Sequence, residues 1–408
     1  MKRPLCLLVV LATVASCIGT PGLFGQEQQP NAAVAGNGAA SKKPKQIYFS
    51  PRQNDPRVLR QALRQAAGGT TLPLWSYNVV SPLDGKNYQG AMVGRSPFFN
   101  GHRTTPIQVY LIPVILTFAD TGTVFDPTVF DSCLGDSVMN VVQNSPIFNS
   151  TDYVMNGADV GSNQYLDAFQ RGNFWSYVST TGNSYHTQLN VTVLPTQNLT
   201  VPAANGVTNV NPVNNCAYGE MDGGWWDPST FGGTGPNQAQ NLIAALAPQG
   251  VGPNNLPLFV FNAVSMYIGD VSQCCVLGYH GAYSNPVQTY SAEGIDSSGN
   301  FGGDVSTMSH EIGEWMDDPV ITNPVPLWGH IGQQSGCQSN LEVGDPTSPN
   351  NPLSPPYNPY LVTMNGFNYT LQELTFFSWF YRQSPSIGAG GLYSNNTTFT
   401  TGAGAVCQ

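Results

Sequence analysis

The sequence predicts an α+β fold: a mixed sheet, then a helix that carries the chemistry, then a loop-rich, disulfide-bonded C-terminal lobe. Three observations point there. From about residue 105, apolar runs of strand length alternate with stretches of helical period, separated by Asn/Pro/Gly loops. One helical stretch, 304–317, concentrates His and Glu at metal-ligand spacing. Six cysteines follow the N-terminal leader, an even number that suits an oxidising compartment.

In chain order, Lys2 and Arg3 precede an apolar run over 5–14. The run is too short to span a bilayer and suits the core of a signal peptide. It ends in Val14, Ala15, Ser16 and Cys17, small residues before a cysteine as in a bacterial lipobox. Residues 1–25 are therefore expected to be a signal peptide, either lipidated at Cys17 or cleaved near Gln26. The protein is expected to be secreted or held at the cell envelope, touching membrane only through a lipid on Cys17. Residues 26–50 are rich in Gln, Ala, Gly, Asn and Lys without apolar period, and read as a flexible linker.

Residues 51–103 form a basic segment. Asp55 can cap a helix there, Pro56 fits its first turn, and Gly68 with Gly69 ends it. Arg57, Arg60 and Arg64 recur on one helical face, which is either solvated or docks on an acidic surface. Three roles stay open for this segment: a lid over a cleft, an integral part of the fold, or a tether. The body, 104–408, begins with an apolar strand over 107–118. A helix over 137–148, a strand over 188–194 and a helix over 238–246 follow. Strands are expected at 256–267, fully buried, and at 288–295. The helix 304–317 is stopped by Pro319, and an aromatic-rich helix over 371–381 is expected as core beneath the site.

Composition narrows the function. The 408 residues hold 14 Lys and Arg against 24 Asp and Glu, a net charge of −10. From Thr104 onward the only basic residues are Arg171 and Arg382, so gripping nucleic acid through its phosphates is excluded. Such a body is expected either to tolerate acid, since its carboxylates neutralise without exposing repelling cations, or simply to have drifted towards Asn, Gln, Ser and Thr. With 19 Phe, 18 Tyr and 7 Trp there is material for a sizeable core, which argues against disorder. No nucleophile elbow, phosphate-binding loop or dinucleotide fingerprint is present.

Cys133, Cys216, Cys274, Cys275, Cys337 and Cys407 are the disulfide candidates, with the pairing open. Adjacent Cys274 and Cys275 are not expected to bond each other, because a vicinal ring strains the backbone. No CxxC spacing occurs, which argues against a cysteine zinc site.

His310 and Glu314 stand at i and i+4 and so share one helix face, where both can bind one ion. Glu311 is rotated by one position, beside an attacking water rather than on the metal. This is the arrangement of HExxH zinc peptidases with Glu in place of the second His. With five His and seven Glu in the chain, chance occurrence of HExxE is on the order of one in a thousand. A third ligand is expected from the following loop: Glu342 first, with Asp345 and His330 as alternatives. Asp317 and Asp345 are candidates for orienting ligands from behind. Tyr279, His280 and Tyr283 either stabilise an oxyanion or are satisfied structure, and Trp225 and Trp226 either line a subsite or are core.

The segments 309–319 (SHEIGEWMDDP) and 341–346 (LEVGDP) resemble secreted bacterial HExxE proteins of zincin-like type and, more distantly, plant Exordium/phosphate-induced proteins. The similarity extends to 274–283 (CCVLGYHGAY), 371–381 (LQELTFFSWFY) and 391–399 (GLYSNNTTF). It implies a zincin-like mixed sheet with an active-site helix, and metal roles for His310, Glu314 and Glu342. The expected function is an exported zinc-dependent hydrolase acting on a peptide or protein, with Glu311 as general base. The alternative is a non-catalytic envelope or extracellular binding protein with a structural metal. Zn²⁺ is the expected cofactor; Ca²⁺ is the other candidate, although it prefers six to eight oxygen ligands and an imidazole argues against it here.

Overall fold

The structure, a computed structural model, describes residues 44–46, 49, 55–99, 102–180, 183–301, 304–349, 357–402, 404 and 407. The signal peptide, the lipobox at Cys17 and most of the 26–50 linker lie outside the described residues.

The α+β order holds. The central sheet runs Gly278–Ser284, Val287–Ile295, Asn255–Asn262, His102–Phe118. Ser184–Val193 and Gln197–Val201 pair in parallel with successive halves of the long last strand. Asn255–Asn262 is parallel to both of its neighbours, with Leu258 opposite Leu111 and Ser291. Gly278–Ser284 is an antiparallel edge, with His280 opposite Ser291.

The central strand shows why its sequence is apolar throughout. Leu256, Leu258 and Val260 enter one core, while Phe259 and Phe261 enter the other, the period of two that a sheet covered on both faces requires. The first core includes the helix Tyr165–Asn173 and the motif helix Ser306–Asp317, which contributes Met308, Ile312, Trp315 and Met316. The second core contains Trp226 and a smaller sheet ordered Asp270–Val276, Val264–Ile268, Ala217–Asp222, Gly206–Val210. Trp225 and Trp226 are therefore buried packing residues.

The basic segment is built into the body. Asp55 caps the helix Pro56–Ala67 by accepting from the Arg57 N–H, and Val58 and Ala62 pack on Val287 and Val320. Arg57, Arg60 and Arg64 face solvent. The hairpin Leu74–Val80 with Asn87–Val93 places Trp75, Tyr77, Met92 and Val93 in the first core. Asn323 clamps it, donating to the Ala91 carbonyl and accepting from the Ala91 N–H.

Three sequence expectations are corrected. The 256–267 run is two strands, because Ala263 takes a φ of 48° and passes the chain into the smaller sheet. The 137–148 helix keeps only Val138–Gln143, capped by Ser137. Of the 371–381 helix, only the turn Phe377–Phe380 forms, and Phe367–Leu371 is a strand. Its backbone donors are taken by distant partners: Gln372 N–H by Ser309 Oγ, Leu374 by Asn395, Thr375 by Val343 and Phe376 by Tyr393. Tertiary bonds there replace the helical ladder.

All six cysteines are paired: Cys133–Cys216, Cys337–Cys407 and Cys274–Cys275. The last contradicts the expectation. Adjacent Cys274 and Cys275 are bonded to each other, with a cis peptide between them and Cα atoms 3.1 Å apart. Three disulfides suggest an oxidising, extracellular environment. No described helix is long and apolar enough to cross a membrane.

Candidate metal centre

The motif helix lies against the edge strand and sinks into the core from Met308 to Asp317. Asp304 accepts from the Ser306 N–H at its start, and it ends where Pro319 follows Asp318. Helical period alone then brings His310 and Glu314 together, with His310 Nε2 3.1 Å from Glu314 Oε1.

The loop after the hairpin Pro324–Ile331 with Gln334–Asn340 supplies the third group. Asp345 Oδ1 lies 3.6 Å from His310 Nε2, and Asp345 Oδ2 accepts from Gln338 Nε2. Ligands around a tetrahedral zinc stand about 3.3 Å apart when each is about 2.0–2.1 Å from the ion. His310, Glu314 and Asp345 thus form a buried group that could hold a metal ion. Glu311 Oε1 is 3.9 Å from His310 Nε2, offset from the other two as its position in the motif requires.

The imidazole is fixed from behind. His310 Nδ1 lies 3.1 Å from Gln372 Oε1 and 3.2 Å from Ser348 Oγ. Gln372 Nε2 donates to the Gly344 carbonyl and Ser348 Oγ, which turns the amide oxygen toward the ring. That network assigns the proton to Nδ1 and leaves the Nε2 lone pair facing the carboxylates. Gly344 stacks on the ring so closely that a Cβ there would lie 2.5 Å from Nδ1.

Glu342 sits in an adjoining group with Glu314 and His280. His280 Nδ1, on the edge strand, is 3.2 Å from Glu311 Oε2 and 3.8 Å from Glu314 Oε2. Burial drives the carboxyl groups of Glu314 and Glu342 well above the ordinary range. Close carboxylates add to it, Asp345 and Glu311 around Glu314, and Glu314 and Asp345 around Glu342.

His330 does not join. It is exposed, with Nε2 3.7 Å from Sγ of the disulfide-bonded Cys337. Asp317 is held by Gln170 and Asn173, so it ties the helix Tyr165–Asn173 to the motif helix rather than orienting a ligand. Tyr279 and Tyr290 donate to Asp227, while Tyr283 donates to Asn237; they are satisfied structure. The sequence offered His280 an oxyanion-stabilising or structural role rather than a place among the carboxylates, and it did not mark Gln372 or Ser348. Only the scarcity of histidine could have marked His280, and nothing local marks Gln372.

A cleft of about 330 Å³ reaches His310 and Glu311, lined among others by Phe49, Leu277, Gly278, Thr307 and Tyr357. Comparison of the chain with protein-family models, with curated proteins and with solved structures finds no match.

Proposed function

We propose that this chain is an exported zinc-dependent hydrolase that cleaves peptide bonds. The observation that carries this reading is the convergence of His310, Glu314 and Asp345, with His310 and the neighbouring Glu311 reached by a cleft. His310 Nε2 and one carboxylate oxygen each of Glu314 and Asp345 would hold the ion, a donor set that zinc accepts. Asp345 takes the place first expected for Glu342. Bound there, zinc supplies Lewis acidity and the means to make water nucleophilic near neutral pH. Glu311 accepts the proton of the attacking water and returns it to the leaving amine. Two carboxylates balance the ion's charge, so the Lewis acidity is weaker than at a two-His site.

A peptide substrate is favoured by the antiparallel edge strand Gly278–Ser284, which borders the cleft at Gly278. An extended chain can add to such an edge through main-chain hydrogen bonds. The zincin-like resemblance of the two motif segments supports the same reading, and the disulfides agree with export. The second reading, a binding protein with a structural metal, draws on the near-complete burial of Glu314, Glu342 and Asp345.

Glu311→Gln separates the two. In the hydrolase it lowers peptide turnover by about 10²–10⁴-fold, the usual weight of a general base, while zinc affinity changes little. Wild-type protein that holds zinc yet cleaves no peptide from a diverse library would reject the hydrolase.

A further inference from the structure

We infer that the site binds a second divalent cation, held by His280, Glu314 and Glu342, with Glu314 bridging it to the first. This rests on the metal reading above and deepens it. Glu314 faces two ways: Oε1 lies 3.1 Å from His310 Nε2, and Oε2 lies 3.8 Å from His280 Nδ1. One carboxylate with its oxygens turned to two separate ligand sets is how a bridge between ions about 3.5–4 Å apart is made.

Ligand atoms of His280, Glu314 and Glu342 all lie within 4.8 Å of one another, and all three residues are buried. Glu342 is fully buried, and its Oε2 has no hydrogen-bond partner. Its other oxygen receives a 3.4 Å contact from Asn340 Nδ2, and its carboxyl group lies within hydrogen-bonding reach of that of Glu314. Buried polar atoms are seldom left so, and an unpartnered carboxylate oxygen beside a second carboxylate calls for a cation.

Charge points the same way. Glu311, Glu314, Glu342 and Asp345 bring four formal negative charges into a site with two imidazoles. The two basic residues of the body are engaged elsewhere: Arg171 donates to the carbonyls of Val160 and Tyr185, and Arg382 lies over Trp379. Glu293, buried beside Glu311, adds a fifth carboxyl group, so two divalent ions offset this charge better than one. Oxygen-rich sites with one imidazole each suit Zn²⁺ or Mn²⁺.

The test uses the full chain, stripped with chelator and titrated with Zn²⁺, with bound metal counted by mass spectrometry after gel filtration. The expected plateau is two ions per chain. Glu342→Gln, which keeps the side chain's shape, should lower it to one, with circular dichroism confirming the fold. A wild-type plateau of one, or a plateau of two that Glu342→Gln leaves intact, overturns the inference. If the variant does not fold, Mn²⁺-loaded wild-type protein still decides: electron paramagnetic resonance should show two exchange-coupled ions, and a purely isolated-ion spectrum at saturation overturns the bridge. One ion together with Glu311-dependent hydrolysis rejects the second site and leaves the hydrolase standing. Two coupled ions without hydrolysis does the reverse.

Discussion

Gly344→Ala probes the metal centre without touching a ligand. Gly344 has φ −85° and ψ −33°, so alanine meets no backbone penalty and the effect is that of one methyl group. That methyl would lie 2.5, 2.6 and 2.7 Å from Nδ1, Cγ and Cε1 of His310. Carbon contacts settle at about 3.5–4.0 Å, so the ring must retreat by about 1 Å. It has little room to do so, with Nδ1 held at 3.1 Å from Gln372 and 3.2 Å from Ser348. Ligand distances tolerate about 0.2 Å, so the retreat takes Nε2 off the ion. Disturbing an orienting contact alone costs about 10–100-fold in metal affinity; losing the nitrogen should cost at least about 100-fold. Overpacking costs about 1–3 kcal/mol of stability, which leaves the fold intact. The assay is competition against a chromophoric zinc chelator, with circular dichroism as the fold check. Gly336→Ala is the control, since its Cβ would meet only Gln334 Nε2 at 3.9 Å. Zinc affinity within twofold of wild type in Gly344→Ala would refute the placement of His310.

Two further predictions concern stability. Burial raises the Asp317 carboxyl from 3.8 to about 7, against the lowering effect of Gln170 and Asn173. The folded group keeps its proton where the unfolded one has lost it, so its contribution is full below about pH 4 and is lost as pH rises to about 7. Asp317→Asn should therefore gain stability relative to wild type across that window, by about 3–4 kcal/mol in urea titrations; parallel pH profiles would contradict it. Cys133–Cys216 closes a loop with a sequence separation of 83, so replacing both by Ser should cost about 4–5 kcal/mol on the chain-entropy model. A loss below 1 kcal/mol in the same titration would show that the loop is already ordered in the unfolded chain.

Local signals were the legible ones. The helix Pro56–Ala67 is written in Asp55, Pro56 and Gly68, and the motif helix in Asp304 and Pro319, all within a turn of where they act. His310 and Glu314 follow from helical period alone. What escaped depends on distant segments. The 371–381 run has aromatic periodicity suited to a helix, yet Ser309, Val343, Asn395 and Tyr393 take its backbone N–H groups. The same contacts bring Gln372 behind His310, a role no local pattern encodes. Between Glu342 and Asp345, spacing from Glu314 could not choose, because the choice depends on how Gly344 lets the loop close over the imidazole. His280 reaches the site only through sheet pairing, and no sequence pattern marks the Cys274–Cys275 bond.

The most direct test is anomalous diffraction at the zinc edge from crystals of the full chain grown with Zn²⁺. The expected result is a peak about 2.0–2.2 Å from His310 Nε2 and from a carboxylate oxygen each of Glu314 and Asp345. A saturated crystal with no peak there, or with zinc only at exposed His330 or other surface groups, would contradict the metal centre.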